Sequence, residues 1–377
     1  MSRRVLIIAG EISGDMHAAK LVREIKAIDP TVSFYGIGGD LLEAEGVEVR
    51  YHVRDMAVLG LSEVLRRYGF FRRVFNELVA AVKKDPPDMV LLVDYPGFNL
   101  RFAKQMKKQG VKICYYICPQ VWAWKKGRIP KMVDVLDRLL VIFPFEVDLF
   151  KGYDLPVHYV GHPLAAEVAH YEASGLANRL DWSAANKLAL LPGSRKQEIE
   201  RILPPLLETV RILTRANREL SVILAAASPQ IAELARIRLT EYPDLLERIR
   251  IEVDQTRAIL LRADAAIVAS GTATLEAALC RCPMVVVYKT AALTYAVGKR
   301  VVKIPHIGMV NIVAGKEICP EFIQEEVCPD RIASTMSSLL EESQACEKMK
   351  GALDEVRNAL NTTAGDDAAE LILSELV

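Results

Sequence analysis

Five short segments concentrate the side chains able to do chemistry. Ala9-Gly10-Glu11-Ile12-Ser13-Gly14-Asp15-Met16-His17 sets glycines for tight turning among polar groups that can cap a helix or face a substrate. It lacks both the G-K-[ST] of a Walker loop and the G-x-G-x-x-G of a dinucleotide fold, which disfavours a nucleoside triphosphatase or an NAD enzyme. Asp94-Tyr95-Pro96-Gly97-Phe98-Asn99 places a carboxylate after the apolar run Val90 to Val93, where it either takes a proton from a hydroxyl as general base or caps the next helix. Pro192-Gly193-Ser194-Arg195 offers a turn and a guanidinium suited to an anion. Ser270-Gly271-Thr272-Ala273-Thr274-Leu275-Glu276 carries small and hydroxyl residues into a helix start, a nest of amides for a diphosphate, with Glu276 one turn on for ribose hydroxyls. Last, Met56 to Val82 interleaves Val64, Leu65, Phe70, Phe71 and Phe75 with the doubled cations Arg66-Arg67 and Arg72-Arg73, as a helix in an anionic membrane interface would, or as a core helix with a solvated basic face would.

The elements that must position these segments are short apolar runs alternating with helical stretches, the pattern of a parallel sheet covered on both faces. One series comprises Val5 to Ala9, Val32 to Ile37, Met89 to Val93, Ile113 to Ile117 and Leu139 to Phe143. A second comprises Leu188 to Leu191, Val222 to Ala226, Ile249 to Val253, Ala265 to Ala269 and Met284 to Tyr288. The fold class expected is therefore α/β, with a Rossmann-like domain over 1–170, a second over 171–344 holding the diphosphate site, and C-terminal helices over 345–377 that pack on the first domain or on a partner chain. Ligands of such sheets bind at the carboxyl ends of the strands, and two domains facing each other make a cleft.

Composition narrows the class of partner. The 377 residues hold 48 basic and 48 acidic side chains, which argues against nucleic acid bound through bulk positive charge. Charge-free stretches reach only about a dozen residues, short of the ~18 of a membrane span. The apolar run after Arg4 stops at Glu11, so it reads as a first strand, and the chain as cytoplasmic. Seven cysteines and six scattered histidines fit neither a disulfide framework nor a zinc-ligand spacing, so neither a metal nor another cofactor is expected.

A two-domain α/β chain with a diphosphate site in its second half and a carboxylate in its first has the outline of a GT-B glycosyltransferase. The chain resembles the lipid-A-disaccharide synthase family (glycosyltransferase family GT19) along essentially its whole length. The resemblance runs through the 9–14, 94–99, 192–195 and 270–276 segments, Pro119-Gln120-Val121-Trp122-Ala123-Trp124, Val160-Gly161-His162-Pro163 and Gly308-Met309-Val310-Asn311. It departs from the family at Gly97, where an acidic residue is common.

The resemblance implies inverting transfer of 2,3-diacylglucosamine from UDP to the 6-hydroxyl of 2,3-diacylglucosamine 1-phosphate (lipid X), giving the β-1,6 disaccharide. It implies Asp94 as general base, with Asp15 or His17 as alternatives. Ser13, Gly14, Gly193, Ser194, Arg195, the Gly271 to Thr274 amides, Glu276 and Asn311 would serve the donor. It further implies peripheral association with the inner face of the inner membrane and leaves a homodimer open. Another GT-B enzyme, a UDP-N-acetylglucosamine transferase or epimerase, is the alternative.

Overall fold

The computed structural model describes residues 3–56, 67–124, 126–301, 304–341, 344–361 and 365–376. The chain forms two compact units, Met1–Pro163 with Thr362–Val377, and Leu164–Asn361.

In the first unit the apolar runs pair as β1 (Arg4–Ala9), β2 (Ser33–Gly38), β3 (Glu48–His52), β4 (Met89–Val93), β5 (Lys112–Tyr116), β6 (Arg138–Val141) and β7 (Val157–Tyr159), in the order β3-β2-β1-β4-β5-β6-β7 and all parallel. The five residues of β4 are all buried, as a strand covered by helices on both faces requires. The second unit repeats the plan with β8 (Asn186–Leu191), β9 (Leu220–Ala226), β10 (Ile249–Val253), β11 (Ala265–Ala269), β12 (Met284–Tyr288) and β13 (Glu321–Ile323), in the order β10-β9-β8-β11-β12-β13, again parallel. Three strands, β3, β7 and β13, escape the sequence reading. Each is an edge strand with one neighbour and partly exposed side chains, so it lacks the apolar run that marks a central strand.

Strand order reverses twice, once in each sheet. Connections leave β1 and β4 on opposite sides, and likewise β8 and β11, opening a crevice at the strands' carboxyl ends. Register sets Ala9 beside Val93, so the loop after β1 lies next to the one after β4. In the second sheet Leu191 pairs with Val268, which brings the 192–195 and 270–276 segments together.

The C-terminal helices divide between the units. Gln344–Leu360 stays with the second, packed on Thr272–Leu279 and Pro329–Leu340, whereas Ala368–Glu375 lies on Ile12–Ile28 of the first with Ala369 and Ile372 buried. Arg138 Nε donates to Glu375 Oε1 at 2.9 Å, and His158 pairs with Asp366 at 2.8 Å.

Candidate active site

Asp94 ends β4 at the first crevice. Its φ of 45° and that of Tyr95, 49°, are left-handed for residues with a Cβ, a conformation that persists only where surroundings impose it. Here the Asp94 amide donates to the Tyr116 carbonyl at 3.0 Å, and its carbonyl accepts from Asn99 Nδ2 at 2.7 Å and from the Tyr115 hydroxyl. The backbone turn carries the carboxylate to a cavity of about 260 Å³ lined also by Cys118, Gln120, Arg128 and Phe143. Burial, reinforced by the Glu11 carboxylate, pushes Asp94 up to about 6. Such a group is ionised at neutral pH yet basic enough to accept a proton.

On the other flank of this loop, Tyr68, Phe71, Phe75, Tyr95, Gly97 and Phe98 line a mostly apolar cavity of about 470 Å³, with Arg72 and Arg101 on it. Phe75 packs edge-on against Phe98 and Phe102, at 5.5 and 5.8 Å, and Val74, Leu78 and Val82 are buried. The helix Tyr68–Lys84 thus shares its apolar side between core and cavity, while Arg67 and Arg73 lie over the Phe70 ring. Of the residues expected at a membrane, Val64, Leu65 and Arg66 lie outside the described residues.

The two alternative bases stand in other surroundings. Asp15 is 4% exposed, and its carboxylate accepts from the amides of Gly39 (2.6 Å), Leu41 (3.2 Å) and Leu42 (3.3 Å). It ties the first turn of Asp40–Ala44 to the helix Ile12–Ile28, and a carboxylate so occupied is not placed to deprotonate a substrate. His17 lines a separate cavity of about 270 Å³ with Lys20, Glu24, Tyr116 and Asp366. Gly14 is buried, and a Cβ there would stand 3.7 to 3.9 Å from Ala9 and the Val93 carbonyl, while Ser13 is exposed on the helix's first turn. In the Trp-Ala-Trp segment Trp122 Nε1 donates to the buried Glu146 (3.2 Å), whose acid burial pushes up to about 8. His162, also buried, is held neutral, its pKa lowered to about 4.

The crevice of the second unit holds a cavity of about 380 Å³ lined by Gly193, Ser194, Arg195, Thr256, Ser270, Gly271, Thr272, Ala273 and Glu276. Glu198 folds back so that Oε2 accepts the amides of Ser194 (2.8 Å) and Arg195 (3.1 Å). Those two amides are therefore engaged, and what this turn presents is the Arg195 side chain, 82% exposed and only 3.7 Å from Glu198 Oε1. Gly193, at φ 119°, is glycine because a Cβ would stand 2.4 Å from Glu198 Oε2. Gly271, at φ 153° and ψ −163°, adopts backbone open to glycine alone as it leads into Thr272–Leu279. The Thr272 and Ala273 amides that open the helix have no intrahelical acceptor, both residues line the cavity, and the helix start carries the positive end of its dipole, an arrangement that suits an anion.

Two predicted donor residues are instead internal. Thr274 is fully buried, and its amide, expected to hold the diphosphate, donates to the Gly271 carbonyl at 3.1 Å, as does its hydroxyl at 2.8 Å. Asn311, also fully buried, donates to the Cys319 carbonyl and to Glu321 and accepts the amides of Ile318 and Cys319, at 2.7 to 3.0 Å. Glu321 in turn accepts the Ile307 and Gly308 amides. Asn311 fixes the loop after it, and both polar atoms of its side chain are spent there.

Glu276 does line the cavity, but through a contact that sequence reasoning missed. Arg257 Nε donates to Glu276 Oε1 (2.9 Å), and Arg257 Nη2 donates to Glu167 Oε2 (2.5 Å). Arg257 carries no local signal, and neither Glu11, though inside the polar loop after β1, nor Glu198, which follows an N-cap Arg195 in place of the usual Ser or Thr, announces its partner. Among the described residues no cluster of His, Cys, Asp and Glu could hold a metal ion.

Two doubly wound parallel units, each with its polar cavity where strand order reverses, define the GT-B class of glycosyltransferases and related epimerases. The chain superposes on the UDP-GlcNAc 2-epimerase of Neisseria meningitidis bound to UDP-GlcNAc (TM-score 0.63, 12% identity, 99% of both chains) and on the kitacinnamycin glycosyltransferase (0.62, 17%, 99% of both). Residues 5–374 match the lipid-A-disaccharide synthetase family. The chain is 41% identical to the lipid-A-disaccharide synthase of Trichlorobacter lovleyi over 99% of its length and 97% of that protein, and 39% identical to that of Geobacter sulfurreducens over 100% and 98%. It belongs to the lipid-A-disaccharide synthase family and is an enzyme of lipid A disaccharide synthesis.

Proposed function

We propose that the enzyme joins UDP-2,3-diacylglucosamine to lipid X with inversion, releasing UDP and a β-1,6 disaccharide 1-phosphate. The observation that carries this reading is Asp94: a carboxylate raised to about 6, at a strand crevice, beside an apolar cavity flanked by arginines. A primary hydroxyl attacks well only if its proton leaves in the transition state, a step worth ~10²–10⁴-fold. Asp94 takes that proton from the 6-hydroxyl as it attacks the anomeric carbon opposite the departing diphosphate, so an α-linked donor gives a β product in one displacement.

Negative charge then grows on the diphosphate, where the Arg195 guanidinium and the amides opening Thr272–Leu279 stabilise it. The apolar cavity beside Asp94 suits acyl chains and has no purpose for the water-soluble sugars of an epimerase. Among the described residues no helix is long and apolar enough to cross a membrane. Substrates that carry acyl chains are therefore met at the bilayer surface, through Phe71, Arg72 and their neighbours.

The test is to incubate purified protein in mild detergent and EDTA with both substrates and seek the tetra-acyl disaccharide 1-phosphate by mass spectrometry, with NMR for the anomeric configuration. A β-linked product is expected. Absence of disaccharide and of free UDP, unchanged by Mg²⁺, sinks the reading.

A further inference from the structure

The donor cavity has a charge imbalance on its own walls. Its lining holds one cation, Arg195, against two carboxylates, Glu198 and Glu276. Glu198 spends Oε2 on the Ser194 and Arg195 amides. Glu276 stands one turn into the helix whose amides face the anion site, so a diphosphate would meet an uncompensated like charge. Arg257, directly behind it, supplies the missing positive charge.

The contact also fixes geometry. Arg257 spans two acids with two different nitrogens: Nε to Glu276 Oε1 at 2.9 Å and Nη2 to Glu167 Oε2 at 2.5 Å. The three side chains come from three helices, Pro163–Ala173, Thr256–Arg262 and Thr272–Leu279, and are 18–30% exposed, so the arrangement is partly shielded from solvent. Holding Oε1 leaves Glu276 Oε2 without a hydrogen bond among the described residues. A lysine could neutralise the acid but would not hold both acids in one fixed plane, because only the guanidinium has donors in a planar fork.

We propose that Arg257, held by Glu167, is a positioning residue for nucleotide recognition: it fixes Glu276 so that Oε2 accepts a hydroxyl of the donor's ribose. This rests on the reading of the cavity as a UDP site and adds to it the residues that make its ribose contact selective.

The test is titration calorimetry of the full-length enzyme with UDP and 2′-deoxy-UDP, and with 3′-deoxy-UDP in case the 3′-hydroxyl is the one bound. Wild type should prefer UDP over at least one deoxy analogue by about tenfold or more, the value of a hydrogen bond to a charged group. Arg257→Lys and Glu276→Gln should bind UDP more weakly and lose most of that preference, and Glu167→Gln should lose part of it, with thermal melts showing each variant folded. If Arg257→Lys and Glu167→Gln weaken UDP but keep the full preference, Arg257 is merely structural and the proposal falls alone. Wild type that binds UDP with no preference removes Glu276 from the ribose and overturns it too. Failure of wild type to bind UDP at all refutes the cavity's assignment, and this inference with it. Should Arg257→Lys not fold, Glu167→Gln decides.

Discussion

At Asp94 the features that serve chemistry work against stability. The folded state holds the proton more tightly than the unfolded chain, since about 6 lies above the ordinary 3.8. Below both values the group contributes nothing. Above both, the folded state carries a penalty on the order of 2–3 kcal/mol. Asp94→Asn should therefore melt at a higher temperature than wild type at pH 8, with the difference shrinking as pH falls from about 6 and gone below about pH 3, while turnover falls ~10²–10⁴-fold and UDP affinity holds. In the wild type, kcat/KM should drop tenfold per unit below about pH 6, because only the ionised carboxylate accepts the proton; a flat profile to pH 4.5 would exclude Asp94 as base. Asp15→Ala should behave oppositely. It strands three amides, so urea denaturation should show a loss of ~1–3 kcal/mol for the group, whatever happens to turnover.

Among the elements, the helix Tyr68–Lys84 has two kinds of apolar residue that substitution can separate. Leu78 is buried in the core, and Leu78→Ala should cost ~2–5 kcal/mol in denaturant unfolding. Phe71 and Arg72 face the cavity beside Asp94, and Phe71→Ser with Arg72→Ser should keep the melting temperature within a few degrees but reduce sedimentation with anionic vesicles. Undiminished sedimentation would reject a membrane contact through this helix. The turn after β8 is equally specific: Gly193→Ala drives a methyl group into Glu198, so both UDP affinity and stability should fall.

For the whole molecule, the chain's return to its first unit matters most. Ala368–Glu375 covers Ile12–Ile28 and anchors β6 through Arg138 and Glu375. Deleting 362–377 should lower the melting transition of the first unit while UDP titration, a property of the second unit, stays near wild type. A UDP affinity lost together with the first unit's stability would show that the two units do not hold their structures independently.

The sequence by itself determined the layered parallel plan, because central strands buried on both faces must be continuous apolar runs, as Met89 to Val93 and Ala265 to Ala269 are. It also marked Asp94, Arg195 and the Gly271 nest, because each follows such a run, and a strand's end is local information. Edge strands such as Val157–Tyr159 left no run to read. What only the tertiary structure decided is which polar side chain meets which. Asp15 is spent on amides 24 to 27 residues away, Asn311 is enclosed by its own loop, and Arg257 reaches Glu167 across 90 residues of chain. Such pairings come from how loops fold back and helices pack, and spacing along the chain does not encode them.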